Sequence, residues 1–426
     1  MEKLRRLVNQ IANTPPPKRH TNLSTLQLSL IPLLSFASSL YNLALFLRHR
    51  FYHLGLLRQR RLPVPVISVG NLTWGGNGKT PMVEFIARWL ADSGILPLIL
   101  TRGYAGGDEA KMLQRHLLGT SARIGVGANR AATAARFLER YGYTDTHIGS
   151  CLKRCCSNQT TGSSLESDKI GAAILDDGMQ HLSLWRDIEI VMVNGMNPWG
   201  NQQLVPLGPL REPLAALRRA DIVVVHHADL TSDQRVNAIE STLRNIKESI
   251  PVFFTRMAPS YFFKVKDTSC KLPLRTLDNM VVLCVSAIGF ANAFVQGIER
   301  IGALHVDRLD FSDHHLFHMK DIESISMRLQ KLQAKFGSKP IVIFTEKDYY
   351  REPEILKHLD PFEVLVLCSE LQIVPRNGRT EDGYKSVLRQ LLEAKEFVPM
   401  IVPLNYDKFI HDDAIDENAN LDGVQL

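Results

Sequence analysis

Apolar and polar positions follow two different periods along this chain. Short apolar runs occur at Val64–Val69, Leu96–Thr101, Arg123–Val126, Ala172–Leu175, Ile188–Val193 and Ile222–Val225. Stretches with helical spacing, notably Thr80–Ser93 and Ala128–Tyr141, lie between them. Unbroken apolar strands alternating with helices predict a largely parallel sheet covered on both faces. Beyond Ile250 the pattern restarts, with strands expected at Val252–Thr255 and Tyr261–Val265 around Met257-Ala258-Pro259-Ser260. Further strands are expected at Met280–Val285, Ile341–Thr345 and Phe362–Leu367, and helices near Lys320–Lys335 and Tyr384–Lys395. The predicted fold is therefore α/β: a P-loop-containing α/β/α domain over residues 51–250 and a smaller α/β domain over 251–400. The Ser/Thr-rich stretch from Cys151 to Lys169 predicts a surface insertion, and residues 401–426, with Asp412, Asp413, Asp416 and Glu417, a disordered acidic tail.

The front of the chain has another pattern. No charge occurs from Leu23 to Leu47, and Leu26, Leu30, Leu33, Ala37, Leu40, Ala44 and Leu47 share one helical face. The length suffices to cross a membrane. Interspersed serines dilute the apolar character, however, and Pro32 interrupts it. The expectation is a membrane-associating helix over residues 23–50 that lies in the interface, with Arg48, Arg50, Arg58, Arg60 and Arg61 meeting lipid phosphates. A helix docked on the protein body is the plainer alternative. Residues 1–22 are basic and contain Pro15-Pro16-Pro17, which fits an organelle transit segment or a solvated basic helix.

Composition changes this picture in three places. A net charge of +6 and 22% charged residues describe an ordinary globular protein. The charge is uneven, with ten Lys or Arg and a single acid, Glu2, over residues 1–61. No groove-reading or aromatic motif accompanies it, so a nucleic-acid partner is not expected. Six scattered cysteines fit neither a disulfide framework nor a zinc ribbon, which predicts a reducing compartment.

Candidate chemistry sits at strand ends. Thr73-Trp74-Gly75-Gly76-Asn77-Gly78-Lys79-Thr80 follows the first strand and leads into a helix. Backbone N–H groups of Gly75, Gly76, Asn77 and Gly78 would cradle phosphates, Lys79 would add positive charge, and Thr80 would ligate Mg²⁺. The usual pattern has Gly where Thr73 stands. Ile174-Leu175-Asp176-Asp177 ends another strand in two carboxylates, where a Walker-B acid holds Mg²⁺. Thr101-Arg102-Gly103-Tyr104 leads to Asp108-Glu109, a carboxylate pair placed to take or orient a proton. Arg211 and Glu212, in the proline-bounded loop Pro206–Pro213, suit phosphate contact and loop anchoring.

In this order, from about Ser24 to Lys395, these motifs resemble the tetraacyldisaccharide 4′-kinase family. Asp176-Asp177-Gly178-Met179-Gln180-His181, Gly208–Pro213, Phe311-Ser312-Asp313-His314-His315-Leu316-Phe317 and Thr345-Glu346-Lys347-Asp348 complete the resemblance. It implies ATP- and Mg²⁺-dependent phosphorylation of the 4′-hydroxyl of an acylated glucosamine disaccharide 1-phosphate, a step of lipid A biosynthesis, by a monomer at a membrane surface. It also implies Asp108 as the catalytic carboxylate, paired with His314 from the second domain. Lys79 would act on the ATP phosphates, Thr80, Asp176 and Asp177 on Mg²⁺, and Tyr104, Glu109, Arg130, Gln180, His181, Arg211 and Glu212 as supporting residues. The basic leader suggests an organelle-housed member, mitochondrial before plastid. Gly106-Gly107 nearly fuse two family motifs, Ala110 replaces Pro, and Met179 replaces Phe or Leu. On the residues alone, a P-loop enzyme for another glycolipid, a GTP-driven metal-delivery protein and a non-catalytic nucleotide-binding scaffold remain rivals. The lack of an Asn-Lys-x-Asp element opposes the GTP reading, and Asp108, Asp176 and His314 oppose the scaffold.

Overall fold

The computed structural model describes residues 2–103, 107–144 and 168–394. Tyr104, the Gly106 side of the fused loop, most of the Cys151–Lys169 insertion and the acidic tail lie outside the described residues. The described cysteines, Cys270, Cys284 and Cys368, are free thiols.

The described strands form one sheet: β1 (Val66–Asn71), β2 (Leu96–Thr101), β3 (Arg123–Val126), β4 (Ile170–Asp176), β5 (Ile188–Asn194), β6 (Ile222–His226), β7 (Val252–Lys264), β8 (Asp267–Leu272), β9 (Val281–Ser286), β10 (His305–Asp310), β11 (Ile341–Thr345) and β12 (Glu363–Ile373). Their order is β10-β9-β11-β12-β7-β6-β5-β1-β4-β2-β3, with β8 paired to β7. Pairing is parallel from β6 through β3, as unbroken apolar strands require when helices cover both faces.

The partition expected at residue 250 falls at the start of β7, the strand both groups share. Its first residues run parallel to β6, while Thr255–Lys264 run antiparallel to β12. The two strands expected around Met257–Ser260 are thus one long strand. Pro259 is accommodated at the register shift opposite Cys368/Ser369, the kind of irregular site where a strand tolerates a missing N–H. Helix Lys79–Asp92 covers one face near β1, and helix Glu381–Ala394 returns to that core through Tyr384, Leu388 and Leu392. Helices Ala291–Ile301 and Met319–Phe336 cover opposite faces of β9–β12.

The apolar front segment forms helix Thr25–His53. Ser24 caps it: its backbone N–H donates to Gln27 Oε1 (2.8 Å) and its hydroxyl accepts from the Gln27 N–H (3.4 Å). Pro32 lies inside this helix; its side chain is exposed, where a missing hydrogen bond is cheapest. The expected apolar face turns away from the protein body. Gln27, Ser38 and Leu45 are buried against the body, while Leu26, Leu33, Phe36, Leu40, Leu43 and Leu47 point outward. Ser38 donates to the Leu204 carbonyl (3.0 Å) and Tyr41 to the Arg211 carbonyl (2.8 Å). By length and composition this helix is apolar enough to cross a membrane. Ahead of it, helix Glu2–Asn13 buries Ile11 with Leu23 and Leu207, and Asn201 N–H donates to the Ala12 carbonyl (3.0 Å).

Candidate active site

β1 lies in mid-sheet between β4 and β5, so the turn after Asn71 opens at the carboxyl edge where ligands bind in such sheets. Gly75 and Gly78 adopt φ of 103° and 75°, which only glycine takes without strain. A Cβ on Gly78 would also lie 2.7 Å from the His226 ring. Thr73, where glycine is usual, braces the turn: its hydroxyl accepts from Asn77 Nδ2 (3.0 Å) and its carbonyl from Asn71 Nδ2 (2.6 Å).

The register Val69↔Asp176 places the end of β4 beside this cradle. Thr80 Oγ1 donates to Asp176 Oδ2 at 3.0 Å. Asp176 Oδ1 is buried and has no hydrogen-bond partner among the described residues. Burial, then the Glu109 charge, pushes this carboxyl up to about 7. Asp177 behaves oppositely. Burial alone would raise it, but Lys79 at 3.6 Å and Arg211, at 2.7 and 2.9 Å from its two oxygens, hold it down to about 2.

Arg130 Nη2 donates to the Asp176 carbonyl (3.1 Å), and its Nη1 lies 3.3 Å from His181 Nδ1. Burial, then Arg130 and three more arginines, lowers His181 to about 4, so its imidazole is neutral. Gln180 ties the Asn71 carbonyl to Glu212 (3.0 and 3.2 Å). Glu212 is buried but grips Arg219 through both oxygens (2.8 and 3.0 Å) and meets His49 at 3.3 Å. Arg48 donates to the Gln180 carbonyl, so the front helix touches the site directly.

The second group of strands closes the far wall. Helix Asp108–His116 packs on helix Glu346–Arg351, and polar side chains pair across the contact. Asp108 meets Arg351 (3.0 Å), Glu109 meets Lys347 (3.0 Å), Arg115 meets the Tyr350 hydroxyl (2.7 Å) and His116 meets Glu346 (2.9 Å). Asp108 is 1% exposed, and its Oδ2 lies 3.9 Å from His314 Nδ1. Burial, then Lys347, lowers His314, despite the opposing charges of Asp313 and Asp108. A cavity of about 1510 Å³ spans both walls, lined among others by Lys79, Asp176, Glu109, His314 and Lys347. Asp108 stands one layer behind that lining.

A family model for tetraacyldisaccharide-1-P 4′-kinase matches residues 30–389. The chain belongs to that family. A probable mitochondrial tetraacyldisaccharide 4′-kinase from Arabidopsis thaliana is 57% identical over 399 residues, 93% of this chain and 100% of that protein. The tetraacyldisaccharide 4′-kinase of Syntrophus aciditrophicus is 33% identical, over 85% of this chain and 93% of its own. The crystal structure of LpxK from Aquifex aeolicus in complex with ATP shares the fold, with a TM-score of 0.54 at 22% identity over 86% of this chain and 100% of that one.

Against that family background, the 4′-kinase motifs fall at two walls. Gly75, Gly76, Asn77, Gly78, Lys79, Thr80, Asp176, Asp177, Arg130, Gln180, His181 and Arg211 gather at the cradle, with Glu212 buried behind. Glu109 and His314 face them across the cavity. Met179, an unusual choice for the family, is buried against Gly70, a site a soft unbranched side chain fills well. Sequence reading missed Lys347 as a site residue, and Arg351, His116 and His226 altogether. A cue was present for Lys347 alone, in Thr345-Glu346-Lys347-Asp348.

Proposed function

We propose that this chain transfers the γ-phosphoryl group of MgATP to the 4′-hydroxyl of a tetraacylated glucosamine disaccharide 1-phosphate. Family membership supports the reaction class. The observation that carries the reading is the pair of opposed walls: a phosphate cradle backed by Thr80 and Asp176, facing His314 across one cavity, with Asp108 behind His314.

Thr80 and Asp176 would hold Mg²⁺, an ion that takes one or two protein oxygens and completes its shell with phosphate and water. The free lone pairs of the buried Asp176 Oδ1 fit that demand. When bound, the ion neutralises charge developing on the phosphates. Lys79, held at the cradle by Asp177, adds a cation on the same side. His314, whose proton affinity is lowered, is neutral near pH 7 and offers Nδ1 toward Asp108. His314 orients the acceptor hydroxyl and takes its proton as the phosphoryl group is transferred, and Asp108 behind it stabilises the charged ring. Supporting contacts come from Glu109, Arg130, Gln180, His181, Arg211 and Glu212, and from Tyr104 by its place in the family motif.

The outward leucines of helix Thr25–His53, with Arg50, Arg58 and Arg60 nearby, support docking of a monomer on an anionic membrane where its acylated substrate resides. The mitochondrial designation of the Arabidopsis relative supports a mitochondrial site. Incubation with labelled ATP, Mg²⁺ and tetraacyldisaccharide 1-phosphate, resolved by thin-layer chromatography, tests the reaction. A Mg²⁺-dependent bisphosphorylated lipid is expected; its absence from folded, ATP-binding protein overturns the reading.

A further inference from the structure

Arg351 is as buried as the carboxylate it meets, at 1% exposure each. Its two terminal nitrogens are both engaged, whereas the buried Nε has no hydrogen-bond partner among the described residues. Nη2 donates to Asp108 Oδ2 (3.0 Å), while Nη1 reaches Asp348 Oδ1 (3.1 Å), the His315 carbonyl (3.2 Å) and the Ala287 carbonyl (3.4 Å). The Ala287 carbonyl also accepts the His314 backbone N–H at 3.1 Å. One planar cation therefore touches both the loop that carries His314 and the carboxylate that His314 faces.

The support behind Arg351 is equally fixed. Asp348 accepts the Thr345 hydroxyl (2.7 Å) and takes the Ala287 N–H on both oxygens (3.2 Å each). Thr345 in turn caps helix Glu346–Arg351. A lone structural ion pair would need only Asp348, three residues before Arg351 on the same helix. Bringing in a second buried carboxylate, from a segment 243 residues away, adds a large desolvation cost. That cost is reasonable where geometry matters more than stability.

We infer that Arg351 is a positioning residue that sets the Asp108–His314 geometry from the far wall. This deepens the kinase reading and rests on it. Arginine suits the task because its rigid fork addresses two carboxylates at fixed angles, which a lysine ammonium does not. The groups facing this pair are Asp313 and Lys347 beside His314, and Arg351 and Lys347 beside Asp108. Arg351 does not line the cavity, so it acts through Asp108 and not on substrate.

The test is a mutant cycle on the full chain with Arg351→Met, Arg351→Lys, Asp108→Asn and the double variant Asp108→Asn/Arg351→Met. Arg351→Met is expected to lower kcat at least a hundredfold, with the KM for ATP within twofold of wild type. Arg351→Lys should recover part of kcat, because charge returns without the fork. In the Asp108→Asn background, Arg351→Met should cost almost nothing further, since the residue acts through a group already removed. Losses that multiply, or a folded Arg351→Met with kcat within threefold of wild type, overturn the inference. Where Arg351→Met does not fold, the same cycle is read with Arg351→Lys. NMR titration of the His314 ring provides a readout without turnover: Arg351→Met should move it to higher pH and Arg351→Lys should restore it. An unmoved His314 titration refutes the positioning role. A wild-type chain that fails to phosphorylate the disaccharide points instead at the functional reading.

Discussion

Thr80 spends its hydroxyl proton on Asp176 Oδ2, which leaves Asp176 Oδ1 buried without a partner among the described residues. A carboxylate kept dry in this way resists ionisation, and its value of about 7 follows from burial first and the Glu109 charge second. Its folded value lies above the unfolded one, so its stabilising share is present below about pH 4 and is lost as pH rises through about 7. A divalent cation with nucleotide should reverse this. Thermal unfolding is expected to show a larger Mg²⁺–ATP stabilisation at pH 8 than at pH 5, and Asp176→Asn should flatten the difference. Equal shifts at both pH values would contradict this assignment.

Asp108 is best tested by a substitution that keeps its shape. Asp108→Ala would strand the buried Arg351 guanidinium and cost about 3–5 kcal/mol of stability, which confuses catalysis with folding. Asp108→Asn should lower kcat by roughly 10²–10⁴ while ATP binding stays within a few-fold. Turnover near wild type in that variant would remove Asp108 from the mechanism.

The cradle's tightest backbone approach is at Gly78. Ala there meets the His226 ring and an unfavourable φ together. The expected cost is about 2 kcal/mol in stability, together with at least a tenfold weaker ATP interaction. Denaturant unfolding and ATP titration read the two effects separately.

How much of this was legible beforehand divides by distance along the chain. Lys79, Thr80 and Asp176 were readable because each sits at a fixed offset from an apolar strand, and parallel strands bring such ends together. Asp108 was legible as a carboxylate just beyond a strand end, but its pairing with His314 only through the family resemblance, since nothing local reveals a partner two hundred residues away. Arg351 and His116 were invisible for the same reason: their roles exist only once helix Asp108–His116 packs on helix Glu346–Arg351. The front helix was legible on its apolar face, whose leucines turn outward, but not on the opposite side, where Ser38, Tyr41 and Arg48 serve as polar anchors to the body.

His116 sits between Glu84 (2.7 Å) and Glu346 (2.9 Å), from the two walls of the cavity. Burial opposes its charge, but the two carboxylates outweigh it and raise the imidazole to about 10. The folded value is raised, so this stability is fully present below about pH 6.5 and is lost as pH climbs through about 10. His116→Ala should therefore cost on the order of 3 kcal/mol at pH 6 and visibly less at pH 10. Denaturation midpoints at the two pH values decide it; a penalty that grows with pH would be the wrong sign.

Leu33, Phe36, Leu40 and Leu43 are exposed on the outward side of the front helix. Changing Leu40 and Leu43 to Glu is expected to abolish sedimentation with anionic vesicles while leaving kcat on detergent-dispersed substrate within twofold. Unchanged sedimentation would argue against the helix as the membrane contact.

The buried Ile11 limits how much of the front of the chain can be removed. A peptidase cutting beyond Asn13 would strip Ile11 from Leu207 and the Ala12 carbonyl from Asn201, opening the floor under the loop that carries Arg211 and Glu212. A cut before Asn9 would leave those contacts whole. The extent of the front segment and the support of the Arg211–Glu212 loop are thus coupled through two residues: what lies upstream of Asn9 is dispensable to that loop, whereas Ile11 and Ala12 are part of its footing.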